Sequence, residues 1–259
     1  MRTYLKNIYQ GRYILATMVR QDFLMRYRRS VMGVLWSLLS PLGIVLIVGS
    51  VQSILWSMPL SEMIPYLFAG LTPWTFLSVS ADGGTQSFLN AEGYIKQLNT
   101  PLEIFPLRIM LGAFVNMLFA IFAYFLAILF LAPHLYSLQT LMLIPALAVW
   151  LVMAAGLSTI TAVLHTYARD YQPMQSLIIQ ALFYVTPIIY PDSILADRGV
   201  AWIYLCNPIY YLLAIIRGPL QGQPVAWQVW AIAAGIAVLL LCVAMLMFRR
   251  VRGRIVFKL

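Results

Sequence analysis

The chain has 259 residues, of which 62% are apolar and only 10% charged, with a mean hydropathy of +0.85 and a formal net charge of +9. So little polar surface cannot cover a soluble globule of this size, and the composition places the chain in a lipid bilayer. A basic balance would suggest nucleic acid as partner in a soluble protein, but fifteen of the seventeen Lys and Arg residues fall in 1–30, 89–108, 165–172 and 249–259, which a six-span arrangement puts on one side of the membrane.

Residues 1–30 lack a compact apolar segment with a small-residue cleavage site, so they are expected to be retained. In helical projection Tyr4, Leu5, Ile8, Leu15, Met18, Val19 and Phe23 share one side, and Arg2, Lys6, Gln10, Thr17, Arg20 and Gln21 the other. This predicts an amphipathic helix in the headgroup region, with simple attraction of a basic tail to anionic lipid as the alternative. Arg26, Arg28 and Arg29 then lead without a turn signal into a long apolar run. Cations that stop abruptly at about twenty apolar residues mark the cytoplasmic end of a span, because Lys and Arg resist translocation.

Windows long enough to span fall at 31–57, 63–88, 106–132, 139–164, 173–191 and 226–248. The predicted fold is therefore an all-α integral membrane protein with six transmembrane helices, in which an interface helix (1–30) precedes a transmembrane domain (31–259) and both termini share one side. Between 191 and 222, the stretch 200–217 is apolar enough for a seventh span, but that span would carry Asn207-Pro208 at its middle and send Arg249, Arg250, Arg252, Arg254 and Lys258 outside. The stretch is read instead as two short re-entrant helices dipping in from outside, a backbone tolerated at membrane depth only against protein or a wet cavity.

Catalytic and metal-binding constellations are not expected. Asp82 is the only acid well inside a window, and His134 and His165 pair with neither a nucleophile nor metal-ligand spacing. Cys206 and Cys242 lie in separate segments and read as packing residues. The phosphate-cradling pattern G-x-x-x-x-G-K-[ST] does not occur, so an active transporter built on this chain needs a separate motor. Trp36, Trp56, Trp74 and Trp150 offer ring faces that could stack on sugars, or serve as belt and packing residues. The same two readings apply to Tyr184, Tyr190, Tyr204, Tyr210 and Tyr211, near the helix-stopping Pro187 and Pro191. Arg217, a cation in apolar surroundings, calls for a partner, which Asp192 or Asp197 could supply. Small-xxx-small spacing at Ala231 and Gly235, and at Ala155 and Thr159, predicts close helix approach.

The runs 26–36, 90–106, Arg169-Asp170, 183–191 and 207–211 resemble permease subunits of ABC-2 type polysaccharide exporters, those for O-antigen above all. The resemblance implies a cytoplasmic coupling helix at Tyr94, Ile95, Lys96, Gln97 and Leu98, although Asn99-Thr100-Pro101-Leu102 stands where family members often carry aromatic and basic residues. It implies an outer gate at Tyr184, Pro187, Tyr190, Pro191, Asn207, Pro208, Tyr210 and Arg217. Tyr27, Trp36 and Trp74 become candidates for the substrate groove. It further implies a homodimer working with two copies of a P-loop ATPase subunit that holds ATP and Mg, while this chain itself binds no cofactor. The cargo would be a lipid-linked O-antigen polysaccharide crossing a bacterial inner membrane from cytoplasm to periplasm. Teichoic acid and capsule exporters are the nearest alternatives. A polytopic lipid-sugar enzyme would need a carboxylate or His constellation, and an ion-coupled flippase more intramembrane charge.

Overall fold

A computed structural model describes residues 2–28, 30–97, 100–255 and 258. Among these the chain is all-helical: α1 (Arg2–Tyr27), α2 (Trp36–Trp56), α3 (Leu60–Gln86), α4 (Glu92–Gln97), α5 (Ile104–Leu131), α6 (Leu143–Tyr167), α7 (Tyr171–Val185), α8 (Ser193–Asp197), α9 (Trp202–Leu205), α10 (Pro208–Leu220) and α11 (Trp227–Ile255). Short 3₁₀ turns at Gly33–Leu35 and Leu138–Met142 lead into α2 and α6.

Among the described residues four helices are long and apolar enough to cross a membrane: α2, α5, α6 and α11. Helix α3 matches them in length, at 27 residues, but carries Glu62 and Asp82. Helix α7 has only 15 residues, about 22 Å at 1.5 Å per residue against a hydrocarbon core of about 30 Å. The window expected at 173–191 therefore ends early as a helix, where Thr186 turns extended and Pro187 removes a donor. The stretch 191–222 also differs from expectation, since it forms three helical pieces rather than two, and α10 alone among them is long and mostly buried.

The long helix that carries Glu62 and Asp82 lies at the centre. Helix α3 packs on α5, α6, α2, α10 and α7, and it buries Thr72, Ser80 and Thr85 along with its apolar residues. A helix carrying polar side chains gains from being surrounded by protein rather than lipid.

The apolar side of α1, expected to face headgroups, packs on the protein instead. Leu15 and Met18 are buried, the Tyr4 ring meets Phe248 edge-on at 5.9 Å, and Phe23 stacks on Phe119 at 5.7 Å. Polar ties hold the same face. Arg108 donates to both oxygens of Asp22 at 2.5 and 2.6 Å, and Asn7 donates to the buried Glu103 at 2.7 Å. Gly11 permits this approach, because a Cβ there would lie 2.8 Å from Ile104 Cγ2.

Helix α11 runs closely along α6. Its small buried residues are Ala233, Ala237 and Ala244, whereas Ala231 and Gly235, expected to form the seam, face outward with nothing beside Gly235. On α6 the contact residue is Gly156, where a Cβ would come within 2.6 Å of the Leu241 backbone nitrogen. Spacing alone could not tell which of two parallel small-residue rows on α11 faces protein.

Candidate functional site

Two adjoining cavities and three polar clusters gather many of the chemistry-bearing side chains among the described residues. The larger cavity, about 500 Å³, lies between α2, α3 and α5 where α1 turns into α2. Arg26 and Tyr27 stand at its mouth with Trp36, and Ser37, Ser40, Thr72, Thr75 and Asn116 add hydroxyl and amide groups to an otherwise apolar wall. Tyr27 and Ser37 hydrogen-bond hydroxyl to hydroxyl, which fixes the corner. A second cavity of about 380 Å³ shares Arg26, Val79 and Ala113 with the first, and continues past Asp22 and Arg108 to Asn90 and Ala91 beside α4. Two of the three groove candidates thus line one cavity. Trp74 does not join them, being buried and tilted against Phe183 at 5.5 Å. Arg26 and Arg28 are exposed, and Arg29 lies outside the described residues.

Helix α4 is a single short piece with Ile95 buried beneath it. Tyr94, Lys96 and Gln97 are exposed, and Lys96 pairs with Glu92 one turn earlier at 2.6 Å. Leu98 lies outside the described residues. Just beyond, Glu103 is 1% exposed and lies 3.8 Å from Arg252, so that α1, the start of α5 and the end of α11 meet at one carboxylate.

At the opposite end, residues 186–191 leave helical geometry, and their freed carbonyls must find donors. Arg217 supplies them. Its guanidinium, 8% exposed, donates to the Pro187 carbonyl at 2.8 Å and to the Tyr66 hydroxyl at 2.9 Å, and lies 4.1 Å above the Tyr66 ring. Tyr66 passes the network on by donating to the Tyr190 carbonyl at 2.8 Å. This corrects the carboxylate expected for Arg217: Asp192 instead accepts from Tyr210 at 3.1 Å, and Asp197 is exposed. The carbonyl that Arg217 takes belongs to the unwound backbone the cation closes over, and Tyr66 of α3 supplies the second neutral oxygen. Gly70 makes room, since a Cβ there would sit 2.8 Å from the guanidinium.

Asn207 works at both ends of its side chain, capping α10 by accepting from the Ile209 amide at 3.0 Å and donating to Thr186 Oγ1 at 2.7 Å. Pro208 follows at the first helical position, where a missing N–H costs nothing. Tyr190 donates to the Tyr184 carbonyl at 2.9 Å, and the Tyr204 and Tyr210 rings meet at a tilt, 4.7 Å between centroids. Tyr184 is 61% exposed and Pro191 half-buried. The structure therefore brings Pro187, Tyr190, Asn207, Tyr210 and Arg217 into one closure and leaves the Tyr184 ring outside it.

Sequence reasoning missed Tyr66 and Gly70, and also a polar ladder toward the basic end. Asp82 on α3 accepts from Gln175 at 3.0 Å and from Ser176 at 3.3 Å on α7. One turn along, Gln86 donates to Gln172 at 2.5 Å and approaches His165 of α6 at 3.4 Å. The i, i+4 spacing of Asp82 and Gln86, matched by Gln172 and Ser176, was a readable signal.

The family described as ABC-2 type transporter matches residues 13–220. The chain is 25% identical over 244 residues to an O-antigen export system permease protein RfbA of Klebsiella pneumoniae, covering 93% of each. A second Klebsiella pneumoniae protein of that name is 29% identical over 76% of this chain and 75% of its own length. One from Myxococcus xanthus is 26% identical over 91% of both.

Proposed function

The chain belongs to the ABC-2 type transporter family, and we propose that it is the membrane-spanning permease of an ATP-driven exporter moving a lipid-linked O-antigen polysaccharide from cytoplasm to periplasm. The observation that carries this reading is likeness along nearly the whole chain to relatives named for O-antigen export. In this reading α3 and α7 complete six spans with the four apolar helices, and both termini and α4 lie in the cytoplasm of a bacterial inner membrane. Helix α1 is the cytoplasmic interface segment, 1–30, ahead of a transmembrane domain over 31–259.

Helix α4 receives a P-loop ATPase subunit, with Tyr94, Lys96 and Gln97 as its outward contacts. ATP and Mg belong to that partner. Glu103 ties the far end of the coupling loop to α1 and α11, so force applied at α4 reaches three elements together. The joined cavities reaching from the coupling loop to Tyr27 and Trp36 offer a path in which hydroxyl groups and aromatic faces suit sugar. The closure around Arg217 is the outer gate. The chain works as a homodimer with two ATPase subunits, and the exposed apolar face of α2 (Ile47, Val51, Ile54) offers a seat for the second copy.

Removing the gene from its host tests the reading. Polysaccharide chains should accumulate inside on their lipid carrier while surface lipopolysaccharide loses its long chains, and the wild-type gene should restore both. Unchanged surface chains in the deletion strain would refute it.

A further inference from the structure

The polar ladder between α3 and α7 has more rungs than bonds. On α3, Ser78, Asp82 and Gln86 follow one another at four-residue spacing and so share a face. Asp82 and Gln86 are engaged by Gln175, Ser176 and Gln172, but the buried Ser78 hydroxyl has no hydrogen-bond partner among the described residues. The Gln175 side-chain oxygen on α7 and His165 Nδ1 on neighbouring α6 are likewise buried without partners among the described residues. An unsatisfied buried polar atom costs about 1–3 kcal/mol, so three in one seam need a reason.

Register supplies it. Helix α7 runs antiparallel to α3, with Gln172 opposite Gln86 and the Gln175–Ser176 pair opposite Asp82. Moved one turn away from the basic end, about 5.4 Å, α7 would set Gln172 against Asp82 and Gln175 against Ser78. Asp82 would keep a partner and Ser78 would gain one while Gln86 lost its own, so each register fills two of the three rungs. Apolar interlock against such a slide is confined to the half-buried Ile179, Leu182 and Phe183, the last against Trp74, since Gln175 alone on α7 is fully buried. Its consequence is felt at the far end, where α7 continues into Thr186 and Pro187, the groups held by Asn207 and Arg217.

We propose that Ser78, Asp82 and Gln86 are positioning residues that hold α7 in two alternative registers one helical turn apart, and that exchange between them opens the closure at Pro187. This rests on the transport reading above, though not on the identity of the cargo.

Two cysteine pairs in the assembled permease–ATPase complex test it, after the exposed Cys206 and Cys242 are replaced by serine. The pair Gln86→Cys with Gln172→Cys reports the observed register, and Ser78→Cys with Gln175→Cys the shifted one. A short, reducible bifunctional thiosulfonate should link the first pair without nucleotide, and ATP with vanadate should lower that yield about ten-fold while raising the second. Yields independent of nucleotide in both pairs would overturn the proposal. In cells, linking the first pair should abolish whatever surface O-antigen the unlinked double variant still delivers, and reductant should return it to that variant's own level, whereas export continuing through the link would overturn the proposal. Register exchange in a complex that never delivers O-antigen would leave the two registers standing and reject the cargo. Ser78→Ala provides a separate measure, because it touches no bond of the observed register. It should keep membrane abundance and slow export, and export at the wild-type rate would overturn the proposal.

Discussion

Helices α11 and α7 are attached to the bundle by opposite means, α11 along α6 and α7 along α3. Along α11 the seam is made of small residues, and Gly156 lets the two backbones come into direct contact. Along α7 the seam is made of amides, hydroxyls and one carboxylate, and most of the helix surface stays exposed. Lipid tails are as apolar as Leu, so burying apolar side chains between spans gains little, and close packing or hydrogen bonds must do the holding. Close packing admits one geometry. A ladder of glutamines and hydroxyls admits more than one, and that difference separates a frame from a moving part.

The sharpest way to break the comparison is to spoil the frame. Gly156→Leu forces a side chain into the Leu240–Leu241 backbone, whereas Gly235→Leu on α11 meets open space. Overpacking a tight core costs about 1–3 kcal/mol, and here backbone is the obstacle, so the upper end applies. Gly156→Leu should remove most of the protein from the membrane fraction, and Gly235→Leu should leave it unchanged, as read by fluorescence of a fused reporter. Equal yields from the two would show that α6 and α11 are not the rigid pair.

Next in size is the closure. Arg217→Met removes the nearer donor to the Pro187 carbonyl, which keeps only the Tyr66 hydroxyl at 3.2 Å, and the donor to Tyr66 itself, a loss of about 1.5–3 kcal/mol for a hydrogen bond to a charged group. Arg217→Lys should recover only part of this, because an ammonium cannot reproduce the planar fork that reaches both oxygens. Thermal unfolding in detergent should rank wild type above Lys above Met, with surface polysaccharide following the same order. A Lys variant equal to wild type would reduce Arg217 to a point charge.

How much of this could be read beforehand depended on which side chains carried their own signal. The apolar windows stood out because about twenty residues must be apolar to span, and α2, α5, α6 and α11 answer to them. The closure was legible in part: Pro187, Asn207 and Pro208 announce a broken backbone, and Arg217 a buried cation. What it binds was not legible. Tyr66 sits in an apolar run like any packing tyrosine, and only the folded chain shows that its hydroxyl faces carbonyls more than a hundred residues away. The apolar face of α1 was visible as a face, but periodicity cannot distinguish lipid from the flank of α5 as its neighbour.

A smaller effect is expected at the ladder itself. Hydrogen bonds between membrane helices average about 0.6 kcal/mol, because partly unfolded helices find other partners in the membrane. Asp82→Asn keeps a side-chain carbonyl facing Gln175 and Ser176 and should leave the melting temperature within a few degrees of wild type. Export should nonetheless slow, since the central rung serves both registers. A large loss of stability would make the ladder part of the frame after all.

The smallest stability effect belongs to Tyr184. Its ring is 61% exposed and touches Phe183 edge-on at 5.3 Å, and its contribution to the closure is a backbone carbonyl that any residue supplies. Tyr184→Ala should therefore leave abundance and melting temperature unchanged, whereas Tyr190→Ala also removes a hydroxyl bonded to that carbonyl and a ring beside Trp56. If Tyr184 offers a stacking surface to passing sugar, Tyr184→Ala lowers surface O-antigen at constant protein level and Tyr184→Phe, which keeps the ring face, restores it. If it anchors the helix in the interfacial aromatic belt, the alanine variant loses protein from the membrane in proportion to export. Normal surface polysaccharide at normal abundance in Tyr184→Ala would remove this ring from the pathway and confine the gate to the residues that Arg217 gathers.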